Sequence, residues 1–223
     1  MRPRVILNCA MSADGKVALP SRRQLRISCD EDMARVHKLR SECDAVLVGV
    51  ETVLSDNPKL TVSEHYVPHP RQPLRVVLDG SCRTPPDSLV VNAAARTVLF
   101  TRQECHTSFP QDTVEVVSGP VDADGLLDLS WVLSELSRRG IRQILVEGGG
   151  TVLWSFLRQG LVDVLFVYVG PLVVGGAQTP TLASGQGVAS ASEVVRLNVR
   201  NVSRLGPGVL LEYHPVNGKK DES

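Results

Sequence analysis

Between Gln143 and Leu157 the chain reads as a strand, three consecutive glycines and then a helix. Ile144, Leu145 and Val146 form a short continuous apolar run, as expected of a strand covered on both faces. Gly148, Gly149 and Gly150 follow Glu147, and Thr151 opens a helical stretch that closes at Gln159 before Gly160. A strand that passes straight into a helix points to an α/β fold with a mostly parallel sheet. Glycines let backbone N–H groups approach an anion with no Cβ in the way, and the start of a helix adds free N–H groups and a positive dipole end. The run therefore suits a pyrophosphate cradle, with Thr151 capping the helix or bonding a phosphate oxygen. A tight turn without a ligand is an equal alternative. No Gly-Lys-Ser/Thr follows, the spacing is not G-x-G-x-x-G, and the run lies late in the chain, so Walker A and first-strand Rossmann layouts are disfavoured. Glu147 ends the strand and would face a ligand lying across the sheet edge; otherwise it is a surface carboxylate.

The same alternation runs through the chain. Strands are predicted at residues 5–8, 45–50, 74–78, 98–100 and 114–117. A capping box, Ser28 with Glu31, predicts a helix carrying Met33, Val36, Leu39 and Cys43 on one face and closed by Asp44. A helical turn over 51–55 is stopped by Asn57-Pro58, and a helix runs from Asp128 to Arg139 before Gly140. Residues 164–174 read as extended. Strands at 193–200 and 209–214 flank Gly206-Pro207-Gly208 as an antiparallel hairpin, which makes the sheet mixed. The loop at 63–73 holds three prolines and reads as surface rather than a domain boundary. The expectation is one domain, 1–216, with a flexible charged tail at 217–223.

Composition excludes several functions. The 24 basic and 24 acidic residues cancel, which argues against a nucleic-acid partner. No apolar run approaches the roughly 18 residues of a membrane span, and the first residues do not form a signal peptide. Cys9, Cys29, Cys43, Cys82 and Cys105 are odd in number and lack C-x-x-C spacing. No metal site or redox dithiol is expected, and free thiols suit a soluble, cytoplasmic protein.

Two further segments carry chemistry. Asp14-Gly15 makes a turn just after the first strand and presents Lys16, which could hold a phosphate, assist proton transfer or simply be solvated. Gly49 ends a strand and leaves room for a ligand. Thr52 and Asp56 lie one helical turn apart on the same side, where hydroxyl and carboxylate suit a ribose or a nicotinamide amide; capping the short turn is the alternative.

Together these stretches resemble the pyrimidine reductases of riboflavin biosynthesis, a family with a dihydrofolate-reductase-like fold. The match is carried in order by Ser12 to Lys16, Arg26-Ile27-Ser28 with Arg40, Val48 to Pro58 with Leu60-Thr61, Val77-Leu78-Asp79, Glu147 to Thr151, Gly160 to Asp163, and Pro171 with Gly175-Gly176. It implies a three-layer α/β fold and a reaction in which a hydride from NADPH, with NADH the alternative, reduces C1′ of a ribosylamino pyrimidine 5′-phosphate to a ribitylamino product. Implied cofactor positions are Gly49, Thr52, Asp56, Asp79, Gly80, Ser81, Arg83, Gly148, Gly149, Gly150 and Thr151, with Arg83 or Arg102 at a 2′-phosphate. Implied substrate positions are Arg26, Arg40, Leu60 and Glu147, and Lys16 and Glu147 are the implied catalytic residues. Arg40 suits a phosphate because a guanidinium can bind two oxygens at once; its alternative is a helix C-terminal residue favoured by the dipole.

Two departures stand out. Gln24-Leu25-Arg26 occupies a place where many relatives have a serine, and Ser63 replaces an arginine common in bacteria, which leaves the substrate phosphate to Arg26 or Arg22. The H-x-E and P-C-x-x-C patterns of a zinc deaminase are absent, which implies a stand-alone reductase that acts before deamination. The expected substrate is then 2,5-diamino-6-ribosylamino-4(3H)-pyrimidinone 5′-phosphate. The family also implies a homodimer, with 164–174 as candidate interface. The rivals are a reductase acting on the deaminated pyrimidine or on a folate or other pteridine, and a nucleotide-binding protein without turnover. Glu147→Gln is expected to weaken substrate use while leaving NADPH binding nearly intact.

Overall fold

The computed structural model describes residues 2–21 and 25–216. Arg22, Gln24 and the tail at 217–223 lie outside the described residues. The strands are β1 (Arg4–Ser12), β2 (Ala45–Gly49), β3 (Leu74–Leu78), β4 (Thr97–Thr101), β5 (Val114–Ser118), β6 (Gln143–Gly148), β7 (Val164–Gly170), β8 (Leu197–Leu205) and β9 (Gly208–Pro215). The helices are α1 (Asp30–Glu42), α2 (Val50–Asp56), α3 (Leu129–Arg138) and α4 (Gly150–Arg158). One sheet holds all nine strands in the order β5-β4-β3-β2-β6-β1-β7-β9-β8. The strands from β5 to β7 pair in parallel, and β9 and β8 close the sheet antiparallel.

Alternation along the strands gives the sheet two apolar faces. Val5, Leu7, Leu47, Val76, Phe100 and Val146 pack on one side with Leu133 and Leu136 of α3 and Phe156 of α4. Ile6, Val46, Val48, Val77, Leu99 and Leu145 pack on the other with Val50 and Val53 of α2 and Leu39 of α1. The result is a three-layer α/β/α domain. Arg75 is fully buried in it, and burial pushes its pKa down to about 10. Its guanidinium donates to Thr97 Oγ1, Asn92 Oδ1 and the carbonyls of Leu89, Asn92 and Ala95, which pins the irregular chain between β3 and β4.

Several expected boundaries move. The helix cap is Cys29 rather than Ser28: the Cys29 sulfur accepts from the Asp32 N–H, and the Ser28 hydroxyl instead donates to the Asp32 carboxylate at 2.5 Å. The 164–174 run ends as a strand at Gly170 and is interior, paired on both sides, with Val164, Leu165, Val167 and Tyr168 buried. Its 164–170 part is therefore no exposed interface, while beyond it Val173 is 74% exposed. On the edge strand β8, Val199 and Val202 are 57% and 60% exposed. That strand starts at Leu197 rather than near 193.

The thiol expectation also needs correction. Cys82 and Cys105 form a disulfide with Cα atoms 5.5 Å apart, while Cys9, Cys29 and Cys43 are free. Neither cysteine sits in a C-x-x-C motif; folding back of the loops after β3 and β4 brings them together. Closing a loop over a separation of 23 residues is worth about 3 kcal/mol in chain entropy. Reduction, or the pair Cys82→Ser/Cys105→Ser, is expected to lower the unfolding free energy obtained from urea denaturation by that amount; an unchanged free energy would contradict it.

Candidate active site

Parallel strands aim their carboxyl ends at one edge of the sheet, and ligands of open α/β sheets bind there. At this edge β2 passes into α2, β6 passes through Gly149 into α4, and β3, β4, β1 and β7 give way to loops. Two clefts open along it. The first, about 910 Å³, is bounded by Gly49, Gly80, Ser81, Arg83, Arg102 and Thr151, and the second, about 780 Å³, by Arg26, Thr52, Asp56, Tyr66 and Glu147. Both touch Val17, Gly149, Gly150, Pro180 and Thr181, so they meet at the glycine turn.

The glycine turn is shaped by close packing. Gly149 has φ +85° and no side-chain cap bond reaches the first turn of α4, so its leading N–H groups stay available to an anion. A Cβ at Gly150 would lie 2.5 Å from Ser184 Oγ and 2.9 Å from the Thr181 carbonyl, and one at Gly148 would lie 3.3 Å from Thr52 Oγ1. Thr151 is exposed in the first cleft and is not the cap; Gly149 is. Gly49 lines the first cleft, but its lack of a Cβ serves packing: one would lie 2.8 Å from Val152 Cγ2 of α4.

Glu147 is held by Arg40 from the last turn of α1. Arg40 Nε donates to Glu147 Oε1 at 2.8 Å, Nη2 to Oε2 at 2.7 Å, and Nη1 to the Thr61 carbonyl at 3.0 Å. Burial pulls the Arg40 pKa down, but the charge and hydrogen bonds of Glu147 outweigh it and the net shift is upward. Glu147 lines the second cleft and Arg40 does not. The guanidinium is thus engaged with the carboxylate and the Thr61 carbonyl. Leu60, with φ +52°, buries its side chain in the core beside α1 and α2 and lines neither cleft. Thr52 and Asp56 share the second cleft, and burial raises the Asp56 pKa.

Asp79 corrects another expectation. It is fully buried and accepts from the N–H of Arg83 at 2.9 Å and from the N–H and hydroxyl of Thr84 at 2.7 Å each. It builds the 79–84 loop, and Gly80, Ser81 and Arg83 of that loop reach the cleft. Arg102 donates to Ser81 Oγ at 3.1 Å, and Arg83 to Glu51 at 2.6 Å, so two guanidinium groups stand at that end.

Sequence reading missed the strap at 177–185, which lines both clefts. The Ser184 N–H donates to the Gly150 carbonyl at 3.1 Å, and the Val17 N–H to the Pro180 carbonyl at 3.0 Å. Its anchor is the first turn: Asp14 accepts from Ser12 Oγ at 2.6 Å, Gly175 N–H at 2.7 Å and Val174 N–H at 3.1 Å, which bring its pKa down to about 2. Lys16 bridges to Thr181 at the foot of the strap; Val17 beside it lines both clefts, and Lys16 itself lines neither. Asp14 and Gly175-Gly176 were visible in sequence, but no local pattern says that Asp14 clamps Gly175 across a separation of 161 residues.

The family model of the RibD C-terminal domain matches residues 3–211. The chain belongs to this family. It is 39% identical over 215 residues to the 2,5-diamino-6-ribosylamino-4(3H)-pyrimidinone 5′-phosphate reductase of Archaeoglobus fulgidus, covering 93% of this chain and 96% of that one. The enzyme of the same name from Methanothermobacter thermautotrophicus is 38% identical over 213 residues, covering 96% and 98%. Among solved structures, a bifunctional deaminase/reductase from Thermotoga maritima superposes with TM-score 0.82 at 30% identity, over 96% of this chain and 57% of its own. RibD of Acinetobacter baumannii shares the fold, with TM-score 0.82 at 24% identity over 97% of this chain and 59% of its own. The RibD fold thus accounts for the mixed sheet and its antiparallel end.

Proposed function

We propose that this RibD-family protein is a cytoplasmic, NADPH-dependent reductase that converts 2,5-diamino-6-ribosylamino-4(3H)-pyrimidinone 5′-phosphate to its ribitylamino product in riboflavin biosynthesis. The observation that carries this reading is the meeting of two clefts at Gly149–Gly150, one with cationic groups and an uncapped helix start, the other with carboxylates. Two relatives that align along nearly their whole length bear this reductase name.

A dinucleotide fits the first cleft. Its volume lies in the roughly 300–1,000 Å³ range of cofactor sites, and the Gly148–Gly150 backbone is closed to side chains by Thr52, Ser184 and Thr181. Gly149, Gly150 and Thr151 would hold the pyrophosphate, Ser81, Arg83 and Arg102 the adenosine end with its 2′-phosphate, and Thr52 and Asp56 the nicotinamide end where it passes the glycine turn into the second cleft. Bound there, the cofactor supplies a hydride. Glu147, fixed by Arg40, would orient the sugar. Arg26 is the one cationic side chain among the described residues lining the second cleft, and it would take the substrate phosphate. The strap at 177–185 covers both clefts and would limit water. Lys16, which neighbours the cleft-lining Val17, would be the catalytic lysine that the family resemblance implies. The homodimer contact is assigned to the exposed Val199 and Val202 of β8.

Absorbance at 340 nm, with NADPH and the diamino substrate beside its deaminated analogue, tests this. Faster oxidation with the diamino compound is expected. Faster oxidation with the analogue would overturn the substrate, and oxidation only with a folate, or none, would overturn the reading.

A further inference from the structure

Tyr66 is the only aromatic side chain lining either cleft among the described residues. It shares the second cleft with Glu147 and Asp56. Its ring lies parallel to that of His37, with centroids 4.7 Å apart and planes at 15°. His65 meets it at 78°. The Tyr66 N–H also donates to the Ser63 carbonyl at 3.1 Å.

His37 is itself fixed. It is buried, and its Nδ1 accepts from the Ser63 N–H at 3.1 Å, which puts the ring proton of the neutral imidazole on Nε2. Burial and the nearby Arg40 both favour that neutral form by lowering its pKa. One turn along the same helix, Arg40 holds Glu147 and the Thr61 carbonyl. The segment from Thr61 to Tyr66 is thus tied to α1 at two points, one of them the arginine that fixes Glu147. An aromatic ring prepared in this way, in a cleft otherwise bounded by aliphatic and polar groups, has the chemistry to receive a flat heteroaromatic ring.

We propose that Tyr66 is a substrate-recognition residue whose ring packs against the base of the pyrimidine substrate. This rests on the reductase reading above, and it adds a base contact to a set of residues that otherwise address the sugar, the phosphate and the cofactor. Stacking tolerates differences in ring substituents because every base offers a π-face. Tyr66 therefore contributes affinity for the ring and not the choice between the diamino compound and its deaminated analogue.

The test uses the whole protein with Tyr66→Ala, Tyr66→Leu and Tyr66→Phe. Leucine keeps apolar bulk without the ring, so a collapsed alanine variant does not end the experiment. The KM for the diaminopyrimidine ribosyl phosphate and the calorimetric Kd for ribose 5-phosphate, which lacks the base, are compared. The pyrimidine KM is expected to rise about tenfold in the alanine and leucine variants and stay near the wild-type value with phenylalanine. The Kd values for ribose 5-phosphate and NADPH should not move. A wild-type KM in the leucine variant, or equal weakening of pyrimidine and ribose 5-phosphate, would overturn the proposal while the reductase reading stands. A wild-type protein that neither binds nor reduces the pyrimidine would remove the reductase reading, and this proposal with it.

Discussion

Arg40→Met is expected to lower stability by about 3–5 kcal/mol and to abolish reductase turnover. The two side chains of the Arg40–Glu147 pair are only 15% and 9% exposed, and the fork of the guanidinium meets both carboxylate oxygens. A methionine fills the volume but leaves the largely buried Glu147 without its partner. The loss comes chiefly from that stranded charge, so Arg40→Met/Glu147→Met should recover most of the stability and none of the turnover. Urea midpoints and kcat/KM for the three proteins check this. A single variant as stable as the wild type would show that the pair does not hold α1 to the end of β6. The same geometry changes the expectation for Glu147→Gln: an amide has one oxygen for two donors, so this variant should lose stability as well as substrate use.

Gly149→Val is expected to weaken NADPH binding by at least about 100-fold, nearly 3 kcal/mol at 1.4 kcal/mol per decade. At φ +85° a β-branched residue is strained, with a cost of order 1–3 kcal/mol. Its Cβ would sit 3.6 Å from both Thr52 Oγ1 and Val152 Cγ2, and the added methyls must press on these groups or enter the cleft. Titration with NADPH, followed by quenching of protein fluorescence, measures the effect. Gly149→Ala should shift affinity in the same direction by less. An unchanged Kd in the valine variant would mean that the glycine turn is not the cofactor cradle.

Local patterns made much of the fold legible, because apolar runs, glycine stops and proline breaks act over a few residues. The strand, glycine turn and helix at 143–158 were visible for that reason, as were the parallel strands and the closing hairpin. The composition and order of site residues also carried the family resemblance. Contacts distant in sequence were not legible. Nothing near Arg40 says that its fork closes on Glu147, 107 residues away, rather than on a phosphate. Asp79 reads as an acid after a strand, and only the turn of its loop shows that Thr84 and Arg83 use up its oxygens. Cys82 and Cys105 lack a motif and meet because two loops fold toward each other. The strap at 177–185 has no periodicity to announce it; its place over the clefts comes from its hydrogen bonds to Val17 and Gly150 and from the hold of Asp14 on Gly175 just before it. The sequence by itself determined the elements, their apolar faces and the family. The tertiary structure decided which polar groups satisfy one another and which remain for a ligand, because that division depends on burial and distance between segments that the chain order keeps apart.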